Sequence, residues 1–281
     1  MTNQAAAQSH PPEAPPAPAQ ADRPALDREA LTEVVNLALW SGQMLMENGA
    51  ESQRVEETIR SLGAGLGCDW GDVFVSHNAL IVSHSSRGEF RTKTRRIALG
   101  GVNLTLVAAM SHLRHRVEES KFDRFLVRKD LARIAGTPRH YNRGLTVLMV
   151  GLACAAFSRL FGGDWPVFGV TLIAASLAMW VRQELALRDL NSLLQATLAS
   201  FVAGLTVGLL RMTGLAFQPE TAMAAAVLLL VPGVPFVNAV EDLIKGYTVV
   251  GLARFTTSLL IIMAIALGLI LAMRLTGIKT L

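Results

Sequence analysis

Apolar residues in the first half of the chain follow the pattern of helices in some segments and that of strands in others. Apolar residues at helical spacing predict an amphipathic helix over Asp27–Glu47 and another over Glu51–Leu66, separated by the helix-ending pair Asn48-Gly49. Three shorter segments have the composition of strands, Asp72–His77, Leu80–His84 and Phe90–Arg95. Helical spacing returns in Asn103–Glu119 and Lys121–Ile134. We therefore predict a small α+β domain over residues 27–138.

Five long apolar runs make up the second half of the chain. They are Leu145–Leu160, Trp165–Val181, Leu193–Leu210, Thr221–Val240 and Phe255–Met273. A helix needs about 20 residues to cross the roughly 30 Å hydrocarbon core of a bilayer. The predicted fold is an α-helical integral membrane protein, in which five transmembrane helices over residues 139–281 follow the α+β domain.

Charge separates the two halves as well. Residues 144–281 hold only 14 of the 48 charged side chains, whereas a soluble domain carries roughly a quarter of its residues as charges. This excludes a wholly soluble enzyme. Residues 1–26 form a Pro/Ala-rich tail with few large apolar groups, which we expect to be disordered.

Lysines and arginines near the predicted helix ends indicate the orientation, because cytosolic ends carry more of them. The N-terminal side has nine, namely Arg128, Lys129, Arg133, Arg139, Arg143, Arg182, Arg188, Lys245 and Arg254. The opposite side has four, namely Arg159, Arg211, Arg274 and Lys279. We expect the N-terminal domain to be cytosolic.

Motifs of soluble enzymes are absent from the sequence. It contains no phosphate-binding loop, no HExxH zinc motif and no CxxC pair. His112 and His115 lie three apart on a predicted helix without acidic or cysteine companions, so a solvated helix face is the simpler interpretation. We expect no catalytic residues, no metal, no cofactor and no nucleic-acid partner.

The fourth apolar run contains the main functional candidate. Pro232 and Pro235 lack amide hydrogens and flank Gly233, which predicts free carbonyls at Leu228 and Val231 near the middle of the bilayer. Backbone exposed at that depth persists only where it lines a cavity or is buried in protein, and transporters bind substrates at such broken helices.

The candidate substrate path therefore consists of Pro232, Gly233, Pro235, Asn238 and Asp242. Asp242 is the candidate proton-linked or gating carboxylate. The alternative is a simple proline kink, with the acidic residues at the membrane interface.

A stripe of small residues on the third run, Ala196, Ser200, Gly204 and Gly208, would let another helix approach closely. That helix could belong to the same bundle or to another subunit.

Five segments carry a resemblance to a known family. They are ENGAESQRVEETI (Glu47–Ile59), GGVNL (Gly100–Leu104), LMVGLACAAFSRLFGGDW (Leu148–Trp165), MWVRQELALRDLN (Met179–Asn191) and LLLVPGVPFVNAVEDLIKGYTVVGLAR (Leu228–Arg254). They resemble the threonine/serine exporter (ThrE) superfamily, and most closely its YjjP-type subunits. The resemblance extends from about residue 30 to the C-terminus.

This resemblance implies a cytosolic α/β domain and five helices in a bacterial cytoplasmic (inner) membrane. It also implies a smaller YjjB-type membrane subunit as partner in a hetero-oligomer. The implied substrates are small hydrophilic metabolites, either threonine and serine or a C4-dicarboxylate such as succinate. We expect an exporter subunit rather than an enzyme, driven by the proton motive force. The alternatives are a membrane-tethered hydrolase and a regulatory or scaffold subunit.

The resemblance also identifies a cytosolic family motif, carried here by Gly49, Ala50, Glu51, Val55, Glu56 and Asn103. We expect Glu51 and Glu56 to be carboxylates that interact with the dipole at a helix start. Gly100-Gly101-Val102-Asn103 stands where family members commonly have Arg-Gly-Ile-Asn. Any role of that arginine is then lost here or taken by Arg95 or Arg96.

Overall fold

A computed structural model of the chain describes residues 26–98, 100–119, 123–137, 141–214 and 217–278. The tail predicted over residues 1–26 lies, apart from Leu26, outside these residues. The chain is a mostly helical, multi-pass membrane protein with one small sheet.

The N-terminal unit consists of four helices and a three-stranded sheet. Its elements are α1 (Arg28–Glu47), α2 (Ser52–Gly65), β1 (Trp70–Val75), β2 (Ala79–Ser86), β3 (Glu89–Arg96), α3 (Leu104–Glu119) and α4 (Arg124–Ala135). The strands are antiparallel in the order β1-β2-β3. Each predicted helix and strand is present, with ends shifted by a few residues.

Burial explains why the sheet packs where it does. Leu80 and Val82 of β2 are fully buried in a core shared with α1 and α2. His84 continues the same face of the strand, and a Cβ atom added at Gly63 or Gly71 would lie 2.2 Å from its ring. The two glycines therefore form a slot for the imidazole, and burial lowers the pKa of His84.

The helical unit holds the remaining elements. They are α5 (Arg143–Leu160), α6 (Trp165–Leu187), α7 (Ser192–Met212), α8 (Pro219–Val227), a 3-10 turn (Leu228–Leu230), α9 (Gly233–Ile244) and α10 (Thr248–Thr276). Among the described residues, α5, α6, α7 and α10 are each long and apolar enough to cross a membrane. The segments Pro219–Leu230 and Gly233–Ile244 are long and apolar enough to cross a membrane only when they are taken together, and they are bent by 62° relative to each other. The described chain thus has four candidate spans, or five if the bent pair is one span.

Helices α7 and α10 pack closely through small residues. A Cβ atom added at Gly268 would lie 2.1 Å from the Ser200 hydroxyl, and one added at Gly204 would lie 2.7 Å from the Cβ of Ala272. Ser200 thus faces Gly268, and four residues later on both helices Gly204 faces Ala272, so the two helices run parallel. The stripe of small residues on α7 is therefore occupied by a helix of the same chain.

Candidate functional site at the junction of the two units

Asp242 of α9 connects the helical unit to the N-terminal unit. Its carboxylate is fully buried, and Oδ1 accepts the backbone N–H of Ser52 at 2.9 Å. Its Oδ2 lies 3.0 Å from a guanidinium nitrogen of Arg254 on α10. Because Ser52 is the first residue of α2, the carboxylate sits at the positive end of that helix.

Glu51 holds the N-cap position of α2, but its side chain makes no capping hydrogen bond. Its carboxylate instead pairs with Arg54 at 2.9 Å. The carboxylate that accepts the first backbone N–H of α2 instead belongs to Asp242. The expected interaction of Glu51 and Glu56 with the dipole of this helix stays a prediction.

Asn238 makes a second connection, one helical turn before Asp242. Its amide nitrogen donates to the backbone carbonyl of Gly49 at 2.7 Å. Gly49 has a φ of +84°, a left-handed conformation that favours glycine. The next residue, Ala50, is buried in the core. The turn between α1 and α2 is thus shaped by Gly49 and held by α9.

Tyr247 makes the third connection, from the turn that joins α9 to α10. Its hydroxyl donates to a carboxylate oxygen of Glu56 at 2.5 Å, while the other oxygen of Glu56 pairs with Arg60 at 2.9 Å. Burial and the Glu56 carboxylate raise the pKa of Tyr247, so the phenol keeps its proton at physiological pH.

These three connections, Asp242–Ser52, Asn238–Gly49 and Tyr247–Glu56, are called the motif contact below. They bring together two sequence segments that lie about 190 residues apart. The Asp242–Arg254 pair inside the contact is buried on both sides. Removing one partner of such a pair leaves an uncompensated charge and costs about 3–5 kcal/mol.

His77 lies beside the buried pair, in the loop that follows β1. Its Nδ1 is buried without a hydrogen-bond partner. Burial and the positive charge of Arg254 lower the pKa of His77, because both disfavour the imidazolium form.

The break in the fourth apolar run lies one to two turns from the motif contact. Pro232 is the N-cap of α9, Gly233 is its first residue and Pro235 lies in its first turn. The Leu228 carbonyl accepts the amide of Val231 at 3.3 Å.

The Val231 carbonyl accepts the amide of Gly233 at 2.9 Å. The prediction that the carbonyls of Leu228 and Val231 are free is therefore wrong, because short local turns satisfy both. The carbonyl of Leu229 lacks a helical donor instead, since Pro232 has no amide hydrogen and Gly233 donates elsewhere.

The other motif residues shape the N-terminal unit. Val55 is fully buried in its core. Asn103 directly precedes α3. Its side chain accepts the backbone amide of Leu106 at 3.2 Å, and its own backbone amide donates to the carbonyl of Asn48 at 3.1 Å. A Cβ atom at Gly100 would lie 2.5 Å from the Glu47 carbonyl oxygen. The backbone here thus leaves no room for a side chain at this position.

A charged cleft of about 300 Å³ opens next to the motif contact. It is lined by Glu51, Gln53, Arg54, Glu57, Ser111, Arg114, His115 and Lys245. Burial opposes ionisation of Glu57, but hydrogen bonds from Gln53 and Arg114 hold its pKa below the usual value. The cleft can thus offer both cationic and anionic groups to a small polar solute. No group of three or more His, Cys, Asp or Glu residues suited to a metal occurs in the described ranges.

Three residues of the motif contact escaped the sequence-based prediction. Ser52 contributes only its backbone, which no residue pattern reveals. Tyr247 was not among the candidate site residues, and Arg254 counted only toward orientation. Arg254 did give a usable signal, because an arginine at the start of an apolar run requires a partner, and Asp242 lies 12 positions earlier in the sequence.

The chain is similar in sequence to known proteins over most of its length. The threonine/serine exporter (ThrE) family model matches residues 36–276. A Klebsiella aerogenes protein named "Probable succinate transporter subunit YjjP" is 37% identical over 254 residues, which cover 90% of this chain and 98% of the relative. The Escherichia coli K12 protein of the same name is 36% identical over 247 residues, covering 88% of this chain and 96% of the relative.

A more distant relative is longer than this chain. The "Threonine/serine exporter" of Corynebacterium glutamicum is 23% identical over 280 residues, which cover 97% of this chain but 56% of the relative. No solved structure matches the chain. With the family model covering 36–276, and two relatives above 30% identity matching almost end to end, the chain belongs to the threonine/serine exporter family.

Proposed function

We propose that this chain is one subunit of a bacterial inner-membrane exporter of a C4-dicarboxylate such as succinate. The observation that carries this proposal is the motif contact, which fastens the broken helix α9 to the N-terminal unit through Asp242, Asn238 and Tyr247. The names of the two relatives at 36–37% identity favour succinate, whereas the family model and the relative at 23% are named for threonine and serine.

The proposed topology has five crossings with the N-terminal unit in the cytosol. Helices α7 and α10 run parallel, so the chain between them must return across the same thickness. In the described part of the chain between them, α8, the 3-10 turn and α9 are the elements that can make that return. We therefore count the bent pair as one span. The excess of Lys and Arg on the N-terminal side supports a cytosolic N-terminal unit.

The broken helix is the proposed substrate path. In the first turn of α9, Gly233 donates to Val231 and Pro235 has no amide hydrogen, which leaves the amide of Val234 without an intrahelical acceptor. The positive end of the helix dipole favours a carboxylate there. Pro232, Gly233 and Pro235 keep that end open. Because α9 is tied to the N-terminal unit by the motif contact, a tilt of α9 about the break moves both together. In this mechanism Asp242 is a gating anchor, since Arg254 and Ser52 already match its charge.

The partner in this proposal is a smaller membrane subunit of the YjjB type. Both relatives that match this chain almost end to end are named as subunits. The proton motive force is the proposed energy source. The proposal treats the chain as a transporter component rather than an enzyme, because the relatives are named for transport.

The test uses cells that lack their own succinate exporters. Co-expression of this chain with its YjjB-type subunit should raise efflux of labelled succinate, and a proton uncoupler should remove the increase. Either chain expressed alone serves as the control. Efflux of threonine but not of succinate would identify threonine as the substrate instead. Efflux by the partner alone would indicate that this chain is a scaffold. Hydrolysis of ester or amide substrates by the purified chain, without efflux, would favour the tethered hydrolase.

A reporter fusion tests the topology separately. A fusion after Ala135 should report a cytosolic position and one after Leu281 a periplasmic position. Two fusions that report the same side would contradict the five-span count.

A further inference from the structure

Helix α9 has two faces of opposite character. Asn238 and Asp242 lie on the face turned to the N-terminal unit and α10. The opposite face presents a stripe at helical spacing, Gly233, Val237, Val240 and Ile244, which is called the outer stripe below. All four residues are exposed, Val237 to 62% and Ile244 to 81%. The described residues therefore leave one side of α9 uncovered along its full length.

The outer stripe is continuous with the break in the helix. Leu229 and Val231 are also exposed, and nothing lies within 4 Å of a Cβ atom built at Gly233. The break follows the 12 residues of Pro219–Leu230, which rise about 18 Å at 1.5 Å per residue. That distance places the Leu229 carbonyl, which has no helical donor, near the middle of a bilayer about 30 Å thick.

Lipid cannot cover this surface, although it can cover the valines. A backbone carbonyl in hydrocarbon costs several kcal/mol unless protein or water satisfies it. The helices of this chain cover the break on one side, where the 3-10 turn packs against α5, α7 and α8, while α9 packs against α10. A substrate path along the break would stay open to lipid on the side of the outer stripe.

We propose that a second, different membrane chain packs on the outer stripe and closes the substrate path at the break. This inference rests on the proposed function, because it locates the partner at the same path. The docking chain is expected to present a predominantly apolar helix with polar groups opposite Leu229.

Length supports a different chain over a second copy. The Corynebacterium glutamicum relative has 44% of its length (100 minus 56) outside the segment that matches this chain. The relatives of this chain's own length are named as subunits instead. A further protein segment therefore accompanies this unit, attached in one case and separate in the other.

Disulfide cross-linking tests the docking site directly. The native cysteines Cys68 and Cys154 are both buried, so cross-links can be attributed to a cysteine introduced at Val237. The chain with Val237→Cys is co-expressed with the YjjB-type subunit, which carries a cysteine scanned along each of its helices. We expect disulfides from Val237→Cys to one helix of the partner. Leu148→Cys on α5, 48% exposed in the same unit, should give none.

A bulky substitution tests the same surface by function. Val237→Trp should reduce co-purification of the YjjB-type subunit and succinate efflux by about tenfold or more, as at interface hot spots. Leu148→Trp should change neither. Both variants should insert and melt like the wild type, which separates loss of docking from loss of folding.

Each result decides the inference. Unchanged co-purification with Val237→Trp and no disulfide at that position would overturn it. Disulfides between two Val237→Cys chains, without any to the partner, would overturn the inference and show that a second copy of this chain covers the outer stripe. If the wild-type pair co-purifies and cross-links but exports no succinate, the docking site stands and the proposed substrate fails.

Discussion

The carboxylate of Asp242 accepts the backbone N–H of Ser52 at 2.9 Å, across 190 positions of sequence. A helix start in the N-terminal unit is therefore capped by a residue from the broken helix of the membrane unit. The same carboxylate faces Arg254, so one buried acid holds together α2, α9 and α10. This relationship makes the two units mechanically dependent on each other, and it leads to the first prediction.

Asp242→Asn should destabilise the chain strongly, because it leaves the buried Arg254 without a counter-charge. The expected cost is about 3–5 kcal/mol, seen as a lower melting temperature of the purified chain in detergent. Asp242→Asn combined with Arg254→Gln should recover part of the loss. Glu241→Gln is the matched control, because Glu241 pairs at the surface with Lys245. A melting temperature equal to that of wild type for Asp242→Asn would show that the pair is not structural.

Tyr247→Phe removes the hydroxyl that binds Glu56 without changing the ring. A hydrogen bond to a charged group contributes about 1.5–3 kcal/mol, so the two units should separate more readily. Hydrogen exchange of the first turns of α2 should accelerate, while exchange in β3 should not change. Thr257→Val serves as a control, because its hydroxyl bonds only within α10. Equal acceleration in β3 would indicate general destabilisation instead.

The hydrophobic pattern was sufficient to predict the elements of the fold. Each predicted helix and strand exists because its apolar residues recur at the period of the buried face, as Leu80 and Val82 do in β2. The number of spans did not follow from the pattern alone, since the fourth run is one apolar segment in sequence but forms two helices bent by 62°. Prolines predict a break, but they do not fix the angle or which carbonyls local turns will satisfy.

The candidate site was predictable only in part. Asn238 and Asp242 stood out as polar residues near an apolar run, yet their partners are a backbone carbonyl at Gly49 and a backbone amide at Ser52. Backbone partners leave no mark on residue identity, and their position depends on how the two units dock. The family resemblance identified both segments, Glu47–Ile59 and Leu228–Arg254, but the sequence did not show that they are in contact.

Gly268 should tolerate no larger residue. A Cβ atom there would lie 2.1 Å from the Ser200 hydroxyl and 2.3 Å from the carbonyl oxygen of Thr197, so the backbones of α7 and α10 would have to separate. Gly268→Ala should cost about 1–3 kcal/mol, as overpacked sites do, and lower the melting temperature. Gly169→Ala on α6 is the control, because its Cβ would meet nothing within 4 Å. A stable Gly268→Ala variant would argue against the parallel α7–α10 packing.

The stability of the N-terminal unit should fall in mild acid because of His84. Burial lowers its pKa in the folded chain below the value of about 6.5 expected when unfolded. The unfolded state thus binds more protons as the pH falls, so the stabilising contribution is complete above about pH 6.5 and decreases below it.

His84→Leu should flatten this decline in melting temperature between about pH 6.5 and 5, whatever it does to stability at pH 8. His112→Asn is the control, because His112 is exposed. If the melting temperature of His84→Leu falls with pH as steeply as that of wild type, other groups cause the loss of stability, and His77 is the next candidate.

The last prediction separates the break from the motif contact. Pro235→Leu supplies an amide in the first turn of α9 that can bond to the Val231 carbonyl, now occupied by Gly233. The released Gly233 amide can then bond to the Leu229 carbonyl four residues earlier. The variant should therefore reduce the bend, cover the exposed backbone and lower succinate efflux about tenfold, which corresponds to ~1.4 kcal/mol in the barrier. Asn238→Leu should reduce efflux similarly for a different reason, because it frees Gly49 from α9.

Hydrogen exchange distinguishes the two variants, since Asn238→Leu should expose the turn at Gly49 and Pro235→Leu should not. Pro166→Ala is the matched control, because a proline in the first turn of α6 is compatible with an unbroken helix. If Pro235→Leu inserts at wild-type levels and exports at the wild-type rate, the substrate does not pass the break. The broken helix would then serve only to deliver Asn238 and Asp242 to the N-terminal unit.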